Sequence, residues 1–294
     1  MMKLSKLMSI TLITGLVLGM AGCVSSGEDG KGSGSGTEDG GGGSAKVSEE
    51  YFTWKANENI ITGLSESGAK QKELVIPERC EGFEGALDFI DGRYEPKEYS
   101  VVSISFESDK DVDLNGFFKG SRLQRLELPG GLTSIEDREF WTSQSLEYIN
   151  IPEGVTVIGE AAFSACTALE ELVFEGDGLV EIKDSAFEIC ESLSSVEFPD
   201  SLEIIGEDAF ENCSSLKSVI LPENLKTLGA YSFMNTVIEE LTVPEGLELE
   251  STTGDAFTNL GGADLKVYVT AGSWADLNFE EAFGINSDYR VYTP

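Results

Sequence analysis

Cys166, Cys190 and Cys213 recur at intervals of 24 and 23 residues, and the 294-residue chain has no histidine to accompany them. A set of thiols invites nucleophilic attack, disulfide exchange or metal binding. Without histidine the first lacks its usual general base. Zinc would have to be held by three aligned thiolates, a poor tetrahedral set. The even spacing has another consequence if successive segments stack. The side chains then sit on strands about 4.8 Å apart and point the same way. A disulfide needs Cβ atoms about 3.5–4.5 Å apart with converging vectors. Buried free thiols that pack as small hydrophobes are therefore expected, with a disulfide between two of them as the alternative. The state of Cys80 is open.

The segment Asp111-x-Asp113-x-Asn115-Gly116 places oxygen ligands at alternate positions before a glycine turn, as a calcium loop does. The twelfth position, where a chelating Glu belongs, is Arg122, and Phe117 falls in the phase of a repeat that explains the segment without metal. No metal is expected. Carboxylates are everywhere: 53 Asp and Glu stand against 20 Lys and Arg, a net charge of -33. Two acids near each other in sequence therefore single out no glycosidase pair. The glycines of Gly30–Gly36 and Gly40–Gly43 lack the strand-to-helix setting of a phosphate cradle. The expectation is a chain that is not an enzyme and needs no cofactor. The charge repels nucleic acid and anionic headgroups, which leaves basic surfaces, cations and neutral ligands as partners.

The N-terminus reads as an address. Lys3 and Lys6 precede an apolar stretch from Leu7 to Leu18 that is too short to span a membrane with confidence. Ala21-Gly22-Cys23 resembles a bacterial lipobox, with Met20 in place of the usual Leu, and implies lipid attachment at Cys23; a plain secretory signal is the alternative. Residues 24–49 are Gly, Ser and acidic residues that cannot bury a core, a flexible linker. The expected organisation is a signal segment over 1–23, this linker, and one domain over 50–294.

Within that domain phenylalanine recurs at Phe117, Phe140, Phe163, Phe187, Phe210, Phe233 and Phe257. Leucine follows six residues later at Leu123, Leu146, Leu169, Leu193 and Leu216, and Pro129, Pro152, Pro199, Pro222 and Pro244 close the next segment. In Leu146-Glu-Tyr-Ile149-Asn-Ile151-Pro152 the isoleucines alternate inward on a short strand that Pro ends, because Pro cannot donate to a ladder. The Val155–Ile158 segment returns along the other side, and Gly159, Gly206 and Gly229 mark the bends. No single coil can bury its own apolar residues, so the coils must stack as a solenoid.

The units Ile158-Gly-Glu-Ala-Ala162-Phe163-Ser-Ala-Cys166-Thr-Ala-Leu169 and Ile205-Gly-Glu-Asp-Ala209-Phe210-Glu-Asn-Cys213-Ser-Ser-Leu216 resemble the BspA-type leucine-rich repeat. The chain departs from the pattern at Glu139 and Ser232, which replace Ala, and at Thr236, which replaces Cys. The resemblance covers roughly residues 50–294 and implies a leucine-rich repeat solenoid: parallel stacked short strands, mostly β, with short turns or helical segments and capped ends. The N-terminal cap is expected over 50–100, the repeats over 101–270 and a C-terminal cap over 271–294, where Ser273 and Asp276 suggest a helix N-cap. The family is bacterial, common on cell surfaces, and some members adhere to host matrix.

The strand face is a solenoid's usual binding surface. Its outward pairs run from Ser103/Ser105 and Arg125/Glu127 to Glu240/Thr242 and Lys266/Tyr268. The candidate partner-binding residues are Tyr148, Asn150, Glu171, Val173, Glu197, Ser218 and Ile220, on a face expected to be contiguous. Of these, Tyr148, Val173 and Ile220 are least expected where residues are merely solvated. The function implied is a cell-surface, lipid-anchored binding or adhesion protein for a protein partner, host extracellular matrix among the candidates. Recognition of a glycan or small ligand is the alternative. The membrane is engaged through the N-terminal lipid only, and nucleic acid is not a partner.

Overall fold

The computed structural model describes residues 49–293 apart from 88, 91, 92, 95–99, 253, 254 and 261–264. Cys23, the signal segment and nearly all of the linker lie outside the described residues. The described residues form a parallel-stranded β-solenoid of about nine turns. Each coil gives one short strand to a front face and, in the middle coils, a two-residue strand to the opposite side. The front strands begin as Glu73–Ile76, Ser103–Phe106, Arg125–Leu126, Tyr148–Ile151 and Glu171–Phe174, all parallel and paired in that order. The opposite sheet runs in register from Ser134–Ile135 through Val157–Ile158, Glu181–Ile182, Ile204–Ile205 and Thr227–Leu228 to Ser251–Thr252.

Period-2 alternation builds each front strand. In Tyr148–Ile151 the side chains of Ile149 and Ile151 are buried and Tyr148 is half-buried on the outer side. Between the two sheets lies a column of phenylalanine rings. Phe140, Phe163, Phe187, Phe210, Phe233 and Phe257 stack 4.9–5.3 Å apart with planes within 11°. Burying each such side chain contributes about 1.5–3 kcal/mol. The bends are tight enough to exclude side chains. A Cβ on Gly159 would sit 2.5 Å from the Asp137 amide nitrogen of the preceding coil.

Around each ring from Phe140 to Phe233 the backbone carries two left-handed residues, at positions two before and two after the Phe. Ala161 and Ala165 flank Phe163, Ser185 and Ile189 flank Phe187, and Asp208 and Asn212 flank Phe210. Left-handed backbone costs a non-glycine residue about 1–2 kcal/mol. It also aims alternate amides at the next coil: the N–H groups of Ala161, Phe163 and Ala165 donate to the carbonyls of Asp184, Ala186 and Glu188 at 2.7–3.0 Å. These bonds hold the strained positions in place.

Two expectations need correction. Phe117 does not continue the ring column. Phe118 does, stacking on Phe140 at 6.2 Å and 22°, while Phe117 packs edge-on against Phe118 and lies 4.7 Å from Phe83 of the N-terminal cap. The left-handed pair of this coil, Gly116 and Gly120, sits two before and two after Phe118, so the turn around the ring is slipped by one residue while the strands of the coil keep a 23-residue register with the next. Nor is the front face one continuous sheet. Ser195–Glu197, Ser218–Ile220, Glu240–Thr242, Lys266–Val269 and Arg290–Tyr292 form a second five-stranded sheet, with no strand pairing to Glu171–Phe174. The break falls where two inward rings, Phe174 and Phe198, stand side by side 6.5 Å apart, wider than the strand spacing of about 4.8 Å.

Both ends are covered. Antiparallel Phe52–Trp54 and Ile60–Leu64 begin the N-terminal cap. At the other end Ser273 caps the helix Trp274–Leu277 by accepting from the Asp276 amide, as its sequence suggests. The helix Phe279–Phe283 comes next, and Arg290 pairs with Asp276 at 2.8 Å. Among the described residues no helix is long and apolar enough to cross a membrane.

Candidate interaction face

Parallel, in-register pairing turns outward residues into rows that cross the strands. One row reads Glu73, Ser103, Arg125, Tyr148 and Glu171. On the second sheet Ser195, Ser218, Glu240 and Lys266 form the matching row, and Glu197, Ile220, Thr242 and Tyr268 its neighbour. Glu171 and Glu197 are exposed, Val173 and Ser218 half-buried, and Ile220 is 46% exposed. The structure therefore brings Tyr148, Glu171 and Val173 together on one sheet and Glu197, Ser218 and Ile220 together on the other.

Asn150 does not belong with them. It is only 5% exposed. Its Oδ1 accepts from the Leu128 amide at 2.7 Å, and its Nδ2 donates to Glu175 at 3.0 Å. The cause is local: the preceding strand pairs only through Leu126, so the Leu128 amide has no main-chain ladder partner and the Asn150 side chain supplies one. An orphaned buried amide costs about 1–3 kcal/mol, which is enough to turn the side chain inward.

Spacing alone also missed the partnership of Arg125 and Tyr148. The guanidinium lies 3.5 Å from the ring centroid and pairs with Glu127 at 3.1 Å. Burial pushes the Tyr148 hydroxyl above its usual pKa, Arg125 pulls it down, and Glu127, Glu171 and Glu175 push it further up. The register that makes Arg125 and Tyr148 cross-strand neighbours was the signal available in the sequence.

The thiols behave as expected of packed hydrophobes. Cys166, Cys190 and Cys213 are free and fully buried, and each S–H donates to a phenylalanine carbonyl of the preceding coil at 3.2–3.4 Å. Burial pushes Cys166 and Cys213 up to about 12. Cys80 is also buried and free, and donates to the Gly82 carbonyl.

The Asp111–Gly116 segment is held by protein contacts. Asn115 donates to the Phe83 carbonyl at 3.0 Å, and the Gly116 amide donates to Glu139 at 2.7 Å. Among the described residues no group of three acidic or thiol side chains is arranged to hold a metal ion. Glu139 sits where Ala162, Ala186 and Ala209 sit in later coils, 2% exposed. Burial, then the charges of Asp113 and Glu136, push its carboxyl up to about 7, against the pull of the Gly116 amide. The signal for this was the departure from alanine at an inward position.

Stacked coils, a ring column and an open strand face define a leucine-rich repeat scaffold. The chain belongs to the BspA type Leucine rich repeat region family, whose profile matches residues 97–190 and 180–262 with six copies. No curated protein matches it. Among solved structures it is similar to a T. pallidum leucine rich repeat protein, at 20% identity over 82% of this chain and 97% of that one, with a TM-score of 0.43. A leucine-rich repeat protein from Bacteroides ovatus matches at 20% identity over 78% of this chain and 65% of that one, TM-score 0.44. A leucine rich cell surface protein from Faecalibacterium prausnitzii matches at 17% identity over 81% and 97%, TM-score 0.27.

Proposed function

We propose that this chain is a lipid-anchored surface protein, not an enzyme, that binds a protein partner through its strand face, host extracellular matrix among the candidates. One observation carries the reading: adjacent parallel strands of the first sheet present Tyr148 and Val173 outward, and the second sheet presents Ile220, among carboxylates on rows fixed by register within each sheet. An aromatic and aliphatic patch can seat an apolar anchor, and rim carboxylates add association rate and specificity more than affinity. The net charge of -33 leaves nucleic acid out of the set of partners. In this reading the membrane is reached through a lipid on Cys23, and Cys23→Ser leaves the protein unprocessed or released.

The test starts from any protein ligand captured on the chain. Tyr148→Ala combined with Ile220→Ser lowers affinity without lowering the melting temperature, because neither side chain supports the core. Retained affinity in that variant, with loss instead on changing Trp141 and Tyr231, which are exposed beside the ring column, would place the site off the strand face.

A further inference from the structure

The row Glu73, Ser103, Arg125, Tyr148 and Glu171 floors a cleft of about 400 Å³ that Gln124, Glu147 and Glu170 help to line. Arg125 is the one cation among its lining residues. Its guanidinium carbon lies over the Tyr148 ring at 3.5 Å from the centroid, within the range of a cation–π contact, and Glu127 pairs with it at 3.1 Å. Glu73, Glu170 and Glu171 make no ion pair among the described residues. The cleft thus holds one guanidinium supplied from within, and keeps carboxylates on both sides of it uncompensated.

We propose that this cleft takes the arginine or lysine side chains of an extended basic segment of a partner protein, with Arg125 acting as an internal occupant that the segment displaces or stacks beside. The proposal rests on the strand-face reading of the function and specifies its chemistry. Five strands about 4.8 Å apart give a row about 19 Å long, the reach of about six extended residues. Such a segment can set one cation against Glu73, one on the Tyr148 ring and one between Glu147 and Glu171. The surrounding negative field speeds its arrival.

The probe is a fluorescein-labelled hexapeptide of alternating arginine and glycine, titrated into the full-length chain by fluorescence anisotropy in 150 mM salt. The expected result is saturable binding, about fivefold to tenfold weaker in Tyr148→Ala and weaker again when Glu171→Gln is added. Arg125→Ala tightens binding severalfold because the internal competitor is gone. Lys266→Ala, on the second sheet, changes net charge equally and leaves affinity within about twofold. Equal tightening by Arg125→Ala and Lys266→Ala would show bulk attraction to an acidic protein and overturn the proposal. So would the absence of binding, or free arginine competing as well as the peptide. Arg125 is exposed and outside the core, so its variant reads the cleft independently of Tyr148→Ala. If the peptide fails while the Tyr148→Ala, Ile220→Ser variant still loses a captured protein ligand, the strand face stands as a site and only its cationic preference falls.

Discussion

From Phe140 to Phe257 the ring column repeats with centroid steps of 4.9–5.3 Å and planes within 11°. One coil earlier the step widens to 6.2 Å and the planes diverge by 22°. The same sequence spacing, 23 residues from Phe117 to Phe140, does not deliver the same position in space. In the regular coils the inward neighbour of the ring is a small residue, Ala162, Ala186 or Ala209, fully buried. In the coil of Phe140 it is Glu139, whose carboxylate reaches back to the Gly116 amide. Near the cap the solenoid therefore gives core volume to a polar group and a slipped backbone. Stacking between like coils is what makes the middle regular, and a coil that abuts a cap has only one like neighbour.

The largest effect belongs to the regular region. Phe187 touches rings on both sides and has no exposed surface. Phe187→Ala removes both contacts and leaves a cavity, so a loss of about 3–5 kcal/mol is expected, read as a steep fall in melting temperature by circular dichroism. Phe117→Ala should cost less, because Phe117 stands beside the column and meets the cap. Equal losses would mean that the two regions are packed alike and that the slip is energetically silent.

Much of this could be read from the sequence, and the exceptions are instructive. Alternation fixed which strand residues point inward, and the repeat period fixed that the cysteines would be buried in a column. Asn150 escaped because its orientation depends on the neighbouring strand ending at Leu126, and strand ends follow hydrogen bonding more than side-chain pattern. The slip escaped because Phe117 and Phe118 are adjacent, so spacing alone cannot choose between them. Gly116 and Gly120 held the answer, since glycine is the residue that enters left-handed backbone without penalty. The break in the strand face falls where two bulky residues stand in successive coils, Phe174 and Phe198, a pair that a per-position reading of one repeat does not weigh.

The second prediction uses pH to separate the regions. Glu139 carries a folded-state pKa of about 7 against an ordinary 4.5, a difference corresponding to about 3 kcal/mol. Between those values the native state holds the proton more tightly than the unfolded state. The stabilisation by the protonated form is complete below pH 4.5 and is lost as pH rises through about 7. Glu139→Ala restores the residue used in later coils and removes this dependence. The variant should gain on the parent as pH is raised from 4.5 to 8 in urea denaturation, and comparing the two at each pH cancels the background of other carboxylates. Ala186→Glu should transplant the defect into the regular region at a larger cost. A gap between parent and Glu139→Ala that stays constant with pH would show that Glu139 is not the titrating group.

The smallest expected effect tests a strained backbone position inside the regular region. Asn212, Asn235 and Asn259 occupy the left-handed position two after the ring, at φ of 61°, 59° and 62°. Their amides form a ladder from coil to coil: Asn235 donates to Asn212 at 2.9 Å, and Asn259 to Asn235 at 2.8 Å. One coil earlier the same position is Ile189, at φ 60°. A β-branched side chain suffers most in that conformation, whereas Asn tolerates it. Ile189→Asn removes the strain and offers Asn212 an acceptor on the ladder, at the expense of some half-buried apolar surface. The balance favours the variant by about 1 kcal/mol, seen as a rise of a few degrees in melting temperature. Asn235→Ile should move the other way, since it both strains the backbone and cuts the ladder in the middle. If Ile189→Asn lowers the melting temperature, side-chain packing outweighs backbone strain at this position, and the regular coils owe their order to their rings and not to their turns.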